Sequence, residues 1–150
     1  MGHTYSNVMC HVVFSTKNRK PMLDSAAMPE LARVVGGILR RRGGKLLAMN
    51  GTENHVHLLA VFPPKLSISD HVRDIKAVSS GWMHEKFLRA DGFAWQIGYS
   101  VFSVSKSNAS AVERYIAGQA EHHRRRSFEQ ELIALLKKHG LEYDTKYVFD

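Results

Sequence analysis

The chain is short of every feature that would mark an extracellular or membrane-spanning protein. A single cysteine in 150 residues, Cys10, excludes an internal disulfide and fits a reducing compartment. It lies among Val8, Met9, Val12 and Val13, the setting of a packed thiol rather than a reactive one. No apolar run approaches the roughly 20 residues a bilayer span needs. Met1 to Tyr5 also lack the basic-then-apolar pattern of an export signal, so the expected location is cytoplasmic, with no membrane partner. Prolines number only four, and no stretch rich in Pro, Gly or Ser divides the chain, which reads as one domain over residues 1–150. Acidic residues are the minority, 14 against 21 Lys and Arg. The resulting charge of +7 suits a polyanionic partner.

Hydrophobic periodicity supplies the elements. Residues 5–15 alternate and are rich in β-formers (Tyr5, Val8, Val12, Val13, Phe14), which predicts a strand. Residues 26–42 carry Leu31, Val34, Val35, Ile38 and Leu39 at helical spacing and stop at Gly43-Gly44. Residues 45–49 and 55–62 predict two strands turning at Asn50-Gly51, and Pro63-Pro64 closes the second. Ser67 and Asp70 mark a helix start, followed by Ile68, Val72, Ile75 and Trp82 on one face. A long strand is expected over 95–104, then helices from about 108 to 125 and from Ser127, capped by Gln130, to Gly140. The order β-α-β-β-α-β-α-α predicts an α+β fold. This is a ferredoxin-like or RRM-like antiparallel sheet with helices packed on one face, plus C-terminal helices.

Two constellations carry chemistry. In His55-Val56-His57 the histidines are two apart on a strand, so both imidazoles project from one face and can share a metal. Nine histidines in 150 residues supply ~0.5 such spacings by chance, so the pair gains meaning only from its setting in a central, apolar strand. The other constellation is Tyr115 with Gln119. Four residues apart on a helix is about 40° around its axis, so phenol and amide share an edge beside the stripe of Val112, Ile116 and Ala120. His122 and His123 continue that edge. Tyr5 and Tyr99 fall in strands, and Tyr143 and Tyr147 follow Gly140; none of these has a Gln four residues on.

With these motifs in view, the chain resembles the small single-strand transposases of bacterial insertion sequences and the related REP-associated tyrosine transposases. These are His-hydrophobic-His nucleases with one catalytic tyrosine. The resemblance rests on His11-Val12-Val13-Phe14-Ser15-Thr16-Lys17, Asn54-His55-Val56-His57-Leu58-Leu59, and the helix with Lys76 and Trp82. It continues through Trp95-Gln96-Ile97-Gly98-Tyr99, Ser103-Val104-Ser105, Tyr115-Ile116 with Gln119, and the run His122 to Arg126. It implies that His55, His57 and Gln119 hold a divalent metal, Mg²⁺ or Mn²⁺, and that Tyr115 attacks DNA. It also implies a single-stranded DNA partner with hairpins at its ends, and a homodimer whose active sites are shared between subunits.

The chemistry suits those residues. A phenol with an ordinary pKa near 10 is a poor nucleophile, but phosphoryl transfer depends mostly on positioning and charge stabilisation. A covalent phosphotyrosine conserves the bond energy, so a second strand's 3′-OH can reverse the step and join new ends. From ligand type alone, Mn²⁺ or Zn²⁺ is the better match. Candidate phosphate contacts are Lys17, Arg19, Lys20, Arg73, Lys76, Arg124 and Arg125; cations at helix C-termini such as Arg40 to Arg42 and Arg124 to Arg126 also have a purely structural use. Two alternatives stay open. One is a non-catalytic nucleic-acid binder on an RRM-like sheet, whose exposed stacking aromatics are not evident. The other is a zinc hydrolase using His55, His57 and a further ligand such as His11 or His122, with Glu53 the one carboxylate nearby in sequence.

Overall fold

Two strands that are apolar on both sides form the centre of the sheet. In the computed structural model, which describes residues 2–87 and 92–150, β1 (Val8–Ser15) and β3 (His55–Phe62) are buried along almost their whole length, as strands covered on both faces must be. β2 (Lys45–Gly51) flanks β3 and β4 (Ser100–Ser103) flanks β1, giving the antiparallel order β2-β3-β1-β4. Ser15 pairs with His55 and Val13 with His57. This is the ferredoxin-like arrangement expected from the element order.

Helices α1 (Met28–Arg41) and α2 (Ile68–Lys86) cover one face. There Cys10, Val12, Phe14, Val56, Leu58, Ala60 and Phe62 meet Leu31, Val35, Ile38 and Leu39 of α1 and Val72, Ile75 and Met83 of α2. The other face receives the C-terminal helices α3 (Ala109–Ala117), α4 (Gln119–His122) and α5 (Phe128–Lys138). Met9 and Leu59 pack on Ala109 and Ile116, while Val13 and Phe102 pack on Phe128, Leu132 and Leu136. Among the described residues no sheet face is left open for stacking bases, which removes the ground for an RRM-like binding mode.

Three local departures from the expected elements have physical causes. The hairpin turns at Thr52-Glu53-Asn54, not at Asn50-Gly51: Asn50 and Gly51 remain in the ladder opposite His57 and Val56. A side chain on Gly51 would bring its Cβ to 2.1 Å from the His55 carbonyl, so glycine here serves a close strand approach. The strand expected over 95–104 keeps an isolated bridge between Thr16 and Trp95, leaves the ladder, and rejoins it at Ser100. In the gap the Gln96 side chain accepts from Ser15 N at 2.7 Å, replacing a ladder bond. The helix expected over 108–125 is interrupted at Gly118, which caps α3 before α4 begins. The freed Ala117 carbonyl accepts from Asn50 Nδ2 at 3.2 Å. By contrast, the capping box at Ser127 and Gln130 forms as read from the sequence.

Candidate active site

Strand alternation puts His55 and His57 on the face toward the C-terminal helices, both with no exposed surface. Opposite them the α3–α4 segment presents Tyr115, Gln119 and His123, and α5 presents Glu131. Gln119 is fully buried and Glu131 is 1% exposed. His57, His55 and His123 place their Nε2 atoms 2.9, 3.3 and 3.1 Å from Glu131 Oε1. Gln119 Oε1 lies 3.1 Å from His55 Nε2 and 3.0 Å from His123 Nε2. The other carboxylate oxygen, Oε2, accepts the Tyr115 hydroxyl and, at 3.1 Å, the Gln119 amide. Thus His55, His57, Gln119 and Tyr115, read as one site from the sequence, are brought together, and within a single chain.

The far sides of the imidazoles are also held. His55 Nδ1 faces Asn54 Oδ1 and Thr52 Oγ1, each at 2.9 Å. An amide oxygen only accepts, so His55 carries its proton on Nδ1 and turns the lone pair of Nε2 inward. Phe128 stacks on this ring with centroids 4.5 Å apart. His57 Nδ1 is 2.7 Å from Nε2 of His11, itself 4% exposed. Burial and then the neighbouring His57 push His11 down to about 3, so it stays neutral and can accept a proton from Nδ1. That leaves His57 Nε2 available as a ligand.

The inward lone pair of His55 Nε2 therefore meets two acceptor oxygens, Gln119 Oε1 and Glu131 Oε1. Facing lone pairs repel unless a second proton or a cation lies between them. One ligand atom from each of His55, His57, His123 and Glu131 lies within 4.8 Å of the others. Three imidazole nitrogens, a carboxylate and an amide oxygen make a donor set that fits a divalent cation.

The site is electrostatically polarised. Burial by itself would raise the Glu131 carboxyl, but the imidazoles of His123, His55 and His57 gathered around it outweigh burial and hold the group well below the usual carboxylate range. Burial lowers His57 despite the neighbouring Glu131 carboxylate. For His123 burial is outweighed by Glu131, and the imidazole is raised. Burial and the bond to Glu131 raise the Tyr115 phenol above its ordinary value, so it is held as the neutral phenol.

Glu131 and His123 are the members of this cluster that the sequence reading did not single out. His123 appeared only as part of a helix edge. Glu131 did carry a signal: it occupies a position on the apolar stripe formed by Phe128, Leu132, Leu135 and Leu136, where a carboxylate has no packing role. His122 sits beside the cluster with Nε2 at 3.8 Å from Glu131, and His11 lies behind His57 rather than among the inward donors.

The basic candidates separate into two groups. Lys17, Arg19 and Lys20 form a turn tied to the strand hairpin, since Thr16 donates to the carbonyls of Lys20 and Asn54 next to His55. Arg19 also pairs with Glu129 at 2.9 Å. Arg124 lines a crevice of about 460 Å³ with Glu53 and His123, and Arg125 is exposed beside it in sequence. Arg19, through Glu129 of α5, and Arg124, beside His123, lie toward the histidine face. Arg73 and Lys76 sit on α2, across the sheet from the histidines. Lys76 moreover turns inward, donating to the carbonyls of Gln96, Ile97 and Gly98 at 2.8, 3.2 and 2.6 Å. An ammonium has three protons, so the phosphate contact expected of Lys76 gives way to a loop anchor.

Similarity to known proteins agrees with this geometry. The family model for IS200-like transposases matches residues 4–119. The transposase of insertion sequence element IS200 from Salmonella typhimurium is 32% identical over 130 residues, covering 81% of this chain and 82% of its own. A solved Deinococcus radiodurans chain described as a transposase superposes with a TM-score of 0.58 at 28% identity, covering 79% of this chain and 96% of its own. A REP-associated tyrosine transposase, solved bound to a REP hairpin, shares the fold with a TM-score of 0.59 at 16% identity, over 82% of this chain and 73% of its own. With more than half its length under one family model, and a buried histidine pair facing a helix tyrosine, the chain belongs to the IS200-like transposase family.

Proposed function

We propose that this transposase cleaves and rejoins single-stranded DNA by transesterification through Tyr115, recognising hairpins at the ends of its element. The observation that carries the reading is the convergence of the Tyr115 hydroxyl with His55, His57 and Gln119 in one buried cluster. None of the other four tyrosines joins it: Tyr5 and Tyr147 are exposed, Tyr99 sits by Lys76 and Tyr143 packs beside α5.

Tyr115 oxygen forms the bond to phosphorus as the bond from phosphorus to the departing 3′-oxygen breaks. The phenol gives up its proton and the 3′-oxygen takes one up, so atoms and charge balance and the 5′ end stays on the protein. His55, His57 and Gln119 would hold a divalent cation, Mg²⁺ or Mn²⁺, which when bound would supply positive charge to the scissile phosphate. His11 and Asn54 keep the two imidazoles oriented. Lys17, Arg19, Lys20, Arg124 and Arg125 are assigned to the DNA backbone around this face. A homodimer with active sites shared between subunits agrees with the family resemblance; within one chain, Tyr115 already lies beside His55, His57 and Gln119.

The test is a denaturant-stable adduct between the protein and a labelled single strand carrying the element's end hairpin, with Mg²⁺ or Mn²⁺. Tyr115→Phe is expected to abolish the adduct and leave DNA binding intact; an adduct lost instead in Tyr143→Phe would overturn the assignment. Glu131 supplies the buried carboxylate that a metal hydrolase requires, and free 5′-phosphate ends with no adduct would favour that reading.

A further inference from the structure

The family match ends at residue 119, and two members of the donor cluster, His123 and Glu131, lie beyond it. Glu131 deserves a role of its own, because a carboxylate with 1% exposure is costly to bury without dedicated partners. Its two oxygens face different chemistry. Oε1 lies among His55, His57 and His123 Nε2, at 3.3, 2.9 and 3.1 Å. Oε2 holds the Tyr115 hydroxyl and the Gln119 amide, the latter at 3.1 Å.

We propose that Glu131 is a ligand of the divalent-metal site through Oε1, with His123 beside it, and that through Oε2 it sets the position of the Tyr115 hydroxyl relative to that metal. The inference rests on the function proposed above and extends it: one rigid carboxylate, on a helix outside the matched family region, joins metal and nucleophile. A carboxylate spans its two oxygens without a rotatable bond between them, so the nucleophile is referenced to the metal more tightly than by two independent side chains. The same carboxylate anchors α5 to the site, and α5 is in turn fixed by Phe128, Leu132 and Leu136 against Val13 and Phe102. His123, four residues after Gln119, shares the Gln119 oxygen and Glu131 Oε1 and completes the imidazole side of the cluster.

The competing arrangement is that the carboxylate merely takes the place of a cation among the histidines and must leave when one binds. The two differ in sign. Mn²⁺ binding is measured on the full chain without DNA, by calorimetry and by the paramagnetic resonance signal of free Mn²⁺. If Glu131 is a ligand, Glu131→Gln weakens binding about tenfold or more, and Glu131→Asp, which keeps the charge but draws it back, weakens it by an intermediate factor. His123→Ala weakens it as well, whereas Tyr115→Phe leaves it within about twofold, because Tyr115 touches only Oε2. Unchanged or tighter binding in Glu131→Gln would overturn the proposal. Far-UV circular dichroism and melting in chelator verify that each variant is folded; were Glu131→Gln unfolded, the Asp variant decides, and binding equal to the parent's counts against the ligand role. Failure of the function is separately visible: a parent chain that binds Mn²⁺ through Glu131 yet forms no adduct refutes the transesterification reading alone.

Discussion

Replacing His11 with leucine tests whether orientation of the metal-facing imidazoles comes from a residue that never touches the metal. His11 Nε2 sits 2.7 Å from His57 Nδ1, and both rings are buried, with centroids 5.0 Å apart. Leucine fills most of the ring's volume but offers nothing to Nδ1, so a buried N–H is orphaned at a cost of about 1–3 kcal/mol. Against a total stability on the order of 5–15 kcal/mol, the variant remains folded. The larger effect is on the site: without its acceptor, His57 can move its proton to Nε2 or rotate, and loss of such an outer partner lowers metal affinity about 10–100-fold. Glutamine is the informative control. Its amide oxygen reaches about as far as an imidazole nitrogen and accepts the Nδ1 proton, so His11→Gln should recover most of the affinity lost in His11→Leu. The assay is Mn²⁺ titration of the parent and both variants at pH 7, paired with urea denaturation in chelator. Because burial pushes His11 down to about 3, it is neutral throughout this range. The sign for stability follows: an imidazole lowered in the folded state leaves the unfolded chain binding protons first, so metal-free stability falls as pH drops below about 6.5. The contribution of His11 to that loss reaches about 2 kcal/mol at pH 5. Equal Mn²⁺ affinity in the parent and His11→Leu, or no recovery with glutamine, would refute the reasoning.

Two further outcomes follow from the same geometry. Because Tyr115 reaches the histidines of its own chain, mixing Tyr115→Phe with His57→Ala protein is expected to restore no adduct; substantial restoration in a gel assay would show that subunits exchange the tyrosine helix. Phe128 is 3% exposed, stacks on His55 and joins Val13 and Phe102, so Phe128→Ala should lower urea stability by about 3–5 kcal/mol, and a loss under about 1 kcal/mol would mean α5 is not docked on the sheet as described.

Much of this protein is written in its local sequence. Alternation along residues 55–62 decides that His55 and His57 share a face, because a strand has no other way to arrange residues two apart. The four-residue spacing from Tyr115 to Gln119 survives the interruption at Gly118, because i to i+4 bonds run up to it and on from it: Gly118 N donates to Arg114 O at 3.1 Å and His122 N to Gly118 O at 3.0 Å. The serine caps at Ser67 and Ser127 mark α2 and α5 because they act on amides three residues away. These are short-range effects, and short-range patterns record them.

What packs against what was decided only by the tertiary structure. Periodicity identifies a face but not the element that will cover it, so nothing local says that α5 lands over His55 and His57 and drives Glu131 between them, 74 residues beyond His57 in the chain. Lys76 reads as a surface cation until three carbonyls from a loop some 20 residues later claim its protons. Nor does the helix pattern say whose histidines Tyr115 will meet, because a tyrosine on an amphipathic edge fits its own sheet or a partner's equally well. Within one chain, the C-terminal helices close onto the sheet's second face by burying Phe128, Leu132 and Ile116, which brings Tyr115 beside that chain's own histidines. The histidine pair and the tyrosine were thus legible from the sequence, and the carboxylate that joins them was not.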